Sequence, residues 1–197
     1  MEINTFLAFL FYSVIGAWTP GPNNILAMAT TGTYGFKKSI PVLCGISVGL
    51  LGAILCCCFF SLALSQFVPL VIRYLRWIGA AYILWLAWRI SFGNVSRKKK
   101  ESVERPVSFG VALILQFVNA KVLFFGITAL SSFVLPYTGK KLEIVFFAIL
   151  LTIIAWSGVF LWAVCGSILQ KWFNVYKVQL NGILSLLLVY CAIKILY

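Results

Sequence analysis

Two long stretches of the chain carry no charge, residues 3–36 and 39–72. As one helix, either 34-residue run would reach about 50 Å at ~1.5 Å per residue. The hydrocarbon core of a bilayer is only ~30 Å thick, so each run must contain a turn or a break. Turn residues fall at Thr30–Gly35 in the first, ahead of Lys37 and Lys38, and between Gln66 and Pro69 in the second. The apolar pattern predicts helices at about 4–28, 39–65, 71–92, 107–135, 142–168 and 178–196. The expected fold is therefore an all-α integral membrane protein of six transmembrane helices, forming a single domain over 1–197. Arg73, Arg76 and Arg89 sit at the ends of the third segment, where long side chains snorkel to headgroups. Trp77, Trp88 and Trp172 lie near segment ends, as interfacial aromatics do.

Composition agrees with this pattern. Hydrophobic residues make up 62% and charged residues 10% of the chain, whereas a soluble domain is about a quarter charged. The formal charge of +12 suggests nucleic acid until its placement is considered. The positive residues lie between apolar runs, with a cluster at Arg97, Lys98, Lys99, Lys100 and Arg105. That is the pattern of a cytoplasmic loop, and no aromatic or fold signal for nucleic-acid binding accompanies it. Counting Lys and Arg gives ten on the side of Lys37, Lys38, Arg89, the 97–105 cluster, Lys171 and Lys177. Five lie on the other: Arg73, Arg76, Lys140, Lys141 and Lys194. The excess places both termini outside.

The basic loop 94–105 also divides the chain into half-repeats of about 1–93 and 106–197, with three segments in each. Halves with an odd number of spans have opposite orientations, which is the arithmetic of an inverted repeat. A 3+3 inverted repeat is therefore expected. No cleaved leader is expected, because Glu2 stands where a basic region belongs and the following apolar stretch is too long.

The strongest local feature is Thr19-Pro20-Gly21-Pro22-Asn23-Asn24, in the middle of the first apolar run. Each proline removes an N–H and clashes with the carbonyl four residues earlier, near Gly16 and Trp18. Either a simple kink results, or the helix breaks and its freed backbone groups face protein or a polar cavity. A half-helix restarting at Pro22 or Asn23 would point its first N–H groups into that cavity, a site suited to a carboxylate.

The second feature is Asn119-Ala120-Lys121. Lys121 lies 15 residues past Pro106, about 22 Å along a helix and so well inside the membrane. A charge there costs about 3 kcal/mol or more. All the acids of the chain are Glu2, Glu101, Glu104 and Glu143, so no predicted span offers a carboxylate partner. Three alternatives remain: backbone carbonyls and Asn side chains, loss of the proton, or the carboxylate of a bound substrate. With Lys121, Gln116 and Asn119 give this segment a polar stripe.

Gly45-x-x-x-Gly49, followed by Gly52, lets helices approach closely, most simply against the broken first helix. Asn181 and Gly182 form a weaker polar spot. Cys44, Cys56, Cys57, Cys58, Cys165 and Cys191 lie in apolar runs without C-x-x-C spacing, and none is expected to neighbour Pro20 or Asn119. They are expected to be small buried residues. A chain without His or Asp holds no Ser-His-Asp triad and no His metal site, and there is no P-loop. Neither an enzyme nor a cofactor is expected.

With these residues in view, the whole chain resembles the lysine exporter superfamily, in its homoserine/threonine-exporter branch. TPGPNNILA at 19–27 is similar to that family's motif in helix one. The segments 79–90, 115–136 and 186–197 resemble the branch's cysteine- and O-acetylserine-exporting members. The resemblance implies a bacterial inner-membrane exporter of small amino acids, driven by ion or substrate gradients instead of ATP. Cysteine and O-acetylserine are the first expectation, with threonine, homoserine or lysine as alternatives. The resemblance carries Asn119 and Lys121 onto the family's Asn-Pro-Lys element, with Ala120 where much of the superfamily has proline. That departure removes the simplest reason for a break in the fourth segment. A transmembrane thiol or electron carrier is a competing class, and it would need cysteines beside the breaks. The expected partners are the bilayer and a small amino acid. Proton coupling and self-association stay open, and nucleic acid is not expected. The candidate substrate-binding or gating residues are Pro20, Gly21, Pro22, Asn23, Asn24, Gln116, Asn119 and Lys121.

Overall fold

The structure, a computed structural model, describes residues 2–63, 77, 80–81, 83–88, 90–91 and 107–196. Among them every regular element is helical. The first predicted segment is two helices, α1 (Ile3–Trp18) and α2 (Pro22–Tyr34), bent by 45°. Helix α3 (Phe36–Ala63) follows directly. The fourth segment is likewise double, α4 (Phe109–Val118) and α5 (Ala120–Phe133), bent by 55°. Then come α6 (Lys141–Ile168), the short α7 (Gln170–Val175) and α8 (Lys177–Leu196). Of the predicted third segment, 77, 80–81, 83–88 and 90–91 are helical. Arg73, Arg76, Arg89, the turn at Gln66–Pro69 and the basic loop 94–105 lie outside the described residues.

Among the described residues, α3 (over Phe36–Phe59) and α6 are each long and apolar enough to cross a membrane. The two bent pairs add up to two further crossings if each is one span. The expected turn at Thr30–Gly35 contracts to Gly35 alone. Thr30 and Thr31 hydroxyls donate to Leu26 O (2.6 Å) and Ala27 O (2.9 Å), which keeps them inside α2. Gly35 takes φ 81°, open to glycine at little cost, and ends the helix in one residue.

Nine of the 13 residues of α2 are buried, so it is wrapped on nearly all sides and forms the centre of the molecule. Helix α6 packs along α1 and α2, while α3 packs along α4 and α5. Each long helix thus lies against a broken one from the other half of the chain.

Small residues make both contacts possible. A Cβ on Gly45 would collide with the Phe109 carbonyl of α4, one on Gly49 would lie 2.6 Å from Leu113 O, and one on Gly52 2.9 Å from the Phe117 ring. The glycine face of α3 therefore meets α4, which corrects the expectation that it packs on the first helix. Gly158 and Gly166 of α6 play the matching part, facing the carbonyls of Ala17 and Met28. Sequence pattern could not choose the partner, because close approach requires only small residues and says nothing of which helix approaches.

Candidate functional site

Breaking α1 at Pro20 leaves four carbonyls without the N–H groups that a continuous helix would supply. Each one has found another donor. Gly16 O accepts from Thr19 Oγ1 (3.1 Å) and Ala17 O from Asn24 Nδ2 (2.8 Å). Trp18 O accepts from Trp162 Nε1 (3.0 Å) of α6. Thr19 O accepts from both Asn24 Nδ2 (2.9 Å) and Lys121 Nζ (2.7 Å). In a hydrocarbon core an unsatisfied backbone group costs several kcal/mol, so a donor for each of the four makes the break compatible with a membrane. The break is a built feature, which decides between the kink and the cavity readings in favour of a full break.

Lys121 belongs to the first turn of α5, where a positive charge opposes the helix dipole. Its ammonium reaches across to the carbonyl end of α1 instead, to Thr19 O, Thr19 Oγ1 (3.2 Å) and Pro20 O (3.4 Å). Of the three partners left open for Lys121, backbone carbonyls are the ones it holds here. Gly21 makes room: a Cβ there would sit 2.6 Å from Lys121 Cδ and 2.8 Å from Nζ.

The second break occurs without proline. Asn119 (φ −76°, ψ 98°) is at once the last cap of α4 and the first cap of α5, and its Oδ1 accepts from Lys121 N at 3.2 Å. Asparagine at such a cap competes with helix continuation, so Ala120 simply becomes the first residue of α5. The bend also corrects the expected polar stripe, since Gln116 and Lys121 lie on different helices.

What joins the polar residues is a chain of amides across the two breaks. Asn119 Nδ2 donates to Asn23 Oδ1 (2.9 Å), Asn23 Nδ2 to Gln116 Oε1 (2.5 Å), and Gln116 Nε2 to Ala112 O (2.9 Å). Gln116 and Asn119 are 0% and 1% exposed, so these bonds are shielded from solvent.

Between the breaks lies a cavity of about 30 Å³. Its polar wall is Gly21, Asn23, Asn24, Asn119 and Lys121. Its apolar wall includes Gly16, Leu50, Val122, Phe125 and Val159. Helix α2 starts here at Pro22, capped by Gly21 with no side-chain hydrogen bond at its N-terminus. Of the expected site residues, five line the cavity. Pro20 supplies a carbonyl to Lys121, Pro22 opens α2, and Gln116 stands behind Asn23.

Three participants were not foreseen: Thr19, Trp162 and Cys191. The Cys191 thiol of α8 lies 3.7 Å from Pro20 O, which corrects the expectation that no cysteine neighbours the break. A separation of 171 residues hides that contact from sequence. Asn181 is buried and Gly182 has open space around its Cα, and neither lines the cavity. Among the described residues no group of His, Cys, Asp or Glu could hold a metal ion.

Residues 14–197 match the family model for the LysE type translocator. The chain belongs to that family. It is 47% identical over 190 residues to the "Cysteine/O-acetylserine efflux protein" of Salmonella typhi, covering 96% of each chain. To the protein of the same name from Escherichia coli (strain K12) it is 44% identical over 191 residues, again covering 96% of each. No solved structure gives a significant match. A LysE type translocator is a transporter and not an enzyme. With its apolar helices, the chain is a multi-pass membrane protein. Both breaks and their amide chain lie within the matched region, as do Lys121 and Cys191.

Proposed function

We propose that this translocator exports small neutral amino acids, cysteine and O-acetylserine first among them, by alternating access around the two helix breaks. The observation that carries the proposal is the geometry of Lys121. Its ammonium is held by the carbonyl end of α1, beside the uncapped N-terminus of α2. A substrate carboxylate seated at that N-terminus would take over the ammonium, and Thr19 O would still keep Asn24 as a donor. Pro20, Gly21, Pro22, Asn23, Asn24, Gln116, Asn119 and Lys121 are the proposed binding and gating set. The names of the relatives support the substrate class, as does a cavity lining whose charged group, among the described residues, is the Lys121 ammonium. Lysine is disfavoured, because no carboxylate lines the cavity and Lys121 would repel a second ammonium. A cavity of about 30 Å³ holds a water or two, so loading requires α2 and α5 to draw apart.

The finer architecture is proposed on the same footing: a single transporter domain of six spans in a 3+3 inverted repeat, in the inner membrane with both termini outside. Three features support the repeat. Both halves have a break, at Pro20–Gly21 and at Asn119. Each break is followed by a short helix, of 13 and 14 residues, and then by a helix of 28 residues. Each long helix packs against the other half's broken pair. The driving force is an ion or substrate gradient.

Purified protein in proteoliposomes tests the reading. Flux of labelled cysteine and O-acetylserine should exceed that of empty vesicles, with lysine at background, and repeating it with an imposed pH gradient tests proton coupling. Background flux for cysteine, O-acetylserine, threonine and homoserine alike would defeat it.

A further inference from the structure

The apolar wall has a depth, and one ring sets it. Phe125 lies on α5, one turn beyond Lys121, and is buried at 7% exposure. Its ring stacks on Tyr12 of α1 at 5.8 Å between centroids and 14° between planes. Tyr12 is braced in turn by Phe133 at 5.5 Å. Gly16, one turn on from Tyr12, faces the same ring: a Cβ there would stand 2.8 Å from both Cδ2 and Cε2 of Phe125. Contacts that close are not tolerated, so the ring occupies the space where a side chain at residue 16 would have been. Phe125 is thus fixed from two sides, and its position is set by α1 as much as by α5.

The same cavity is lined by Asn23, Asn24, Asn119 and Lys121. An amino acid whose carboxylate and amine meet those polar groups leaves its side chain to the apolar lining, of which Phe125 is the largest side chain. This wall carries no charged or hydrogen-bonding side chain, and such a pocket discriminates by volume alone.

We propose that Phe125, clamped by Tyr12 and admitted by Gly16, is the specificity-determining residue that limits export to amino acids with short uncharged side chains. The inference rests on the export reading above and names the residue that selects the side chain within that site. Shortening the ring should admit longer neutral side chains, and a methyl at residue 16 should exclude more of those now accepted. One methylene in a hydrophobic pocket changes discrimination roughly 10- to 200-fold.

The test uses full-length protein in proteoliposomes, with labelled cysteine, O-acetylserine and leucine as probes. Wild type is compared with Phe125→Ala, Phe125→Val and Gly16→Ala. The leucine-to-cysteine flux ratio should rise about tenfold or more in the two Phe125 variants, more in Ala than in Val. In Gly16→Ala the O-acetylserine-to-cysteine ratio should fall by roughly tenfold. Ratios within twofold of wild type in these variants, while cysteine still moves, overturn the inference and leave the export reading standing. Failure of wild type to move cysteine or O-acetylserine instead defeats the export reading, and this inference with it. For a variant that moves no substrate, thermal shift of the purified protein reads binding directly. Leucine should then stabilise Phe125→Ala and not wild type, and no difference between them overturns the proposal.

Discussion

Asn24 and Lys121 meet the same carbonyl, and replacing each should separate stability from transport. Asn24 Nδ2 bridges Ala17 O at 2.8 Å and Thr19 O at 2.9 Å, and the residue is only 4% exposed. In Asn24→Ala both bonds are lost, at about 1 kcal/mol each net. Ala17 O is then stranded in the interior, adding about 1–3 kcal/mol. Thr19 O fares better, because Lys121 Nζ remains 2.7 Å away. The expected loss is about 3–5 kcal/mol, a hundredfold or more in the folding equilibrium. Asn24→Asp should cost more, since an acceptor-only carboxylate would face two carbonyls. Lys121→Gln is the contrast. Thr19 O keeps Asn24 and Pro20 O keeps the Cys191 thiol, so the expected loss is about 1 kcal/mol, while export falls to background. Unfolding of the purified proteins in mixed micelles by SDS titration, followed by far-UV circular dichroism, gives the stabilities, and vesicle flux gives the transport. If Lys121→Gln is as destabilised as Asn24→Ala, the division of labour between the two residues is wrong.

Lys121→Ala and Asn23→Ala should both insert normally and lose export; wild-type flux in both would move the site elsewhere. Gly49→Ala should destabilise by about 1–3 kcal/mol, because the added methyl meets Leu113 backbone at 2.6 Å, whereas at Gly52 it meets the tip of the Phe117 ring, which can turn aside. Equal thermal stability of the Gly49→Ala and Gly52→Ala proteins would contradict that ranking. A variant carrying Cys191→Ser and alanine at the other five cysteines should still export, since a serine hydroxyl can serve Pro20 O. Loss of flux in Cys191→Ser alone, with the protein still folded, would instead favour the thiol-carrier class.

What could be read in the sequence was what local chemistry decides. Two prolines within three residues remove N–H groups wherever they stand, so the break at Pro20–Pro22 was legible. The restart of α2 at Pro22 was legible for the same reason. The break at Asn119 was half legible, because a lone asparagine breaks a helix only if its side chain caps the next one. That choice depends on Asn23 and Gln116 arriving from elsewhere. The start of α3 was misplaced by three residues because threonine hydroxyls bonding backward kept α2 going to Tyr34. Partners across long separations, such as Trp162 for Trp18 O and Cys191 for Pro20 O, leave no mark on local pattern.

The amide chain between the breaks has a direction that its ends impose. Lys121 N–H can only donate and Ala112 O can only accept, so Asn119, Asn23 and Gln116 must each donate toward Ala112. No flip of a single amide preserves the bonds of its neighbours, so Asn23 is held by α4 through one atom and by the Asn119 cap through the other. Drawing α2 away from the second break costs the two bonds that Asn23 makes, stranding Gln116 Oε1 and Asn119 Nδ2 at about 1–3 kcal/mol each. A closed form held this way resists opening when empty. In the proposed cycle a substrate offers what water in a 30 Å³ cavity cannot: a carboxylate for Lys121 and an amine for the asparagine oxygens. A ligand shifts an equilibrium only by its differential affinity for the two states. Replacing the bonds that opening breaks is how an amino acid would favour the open form and limit leakage through an empty site.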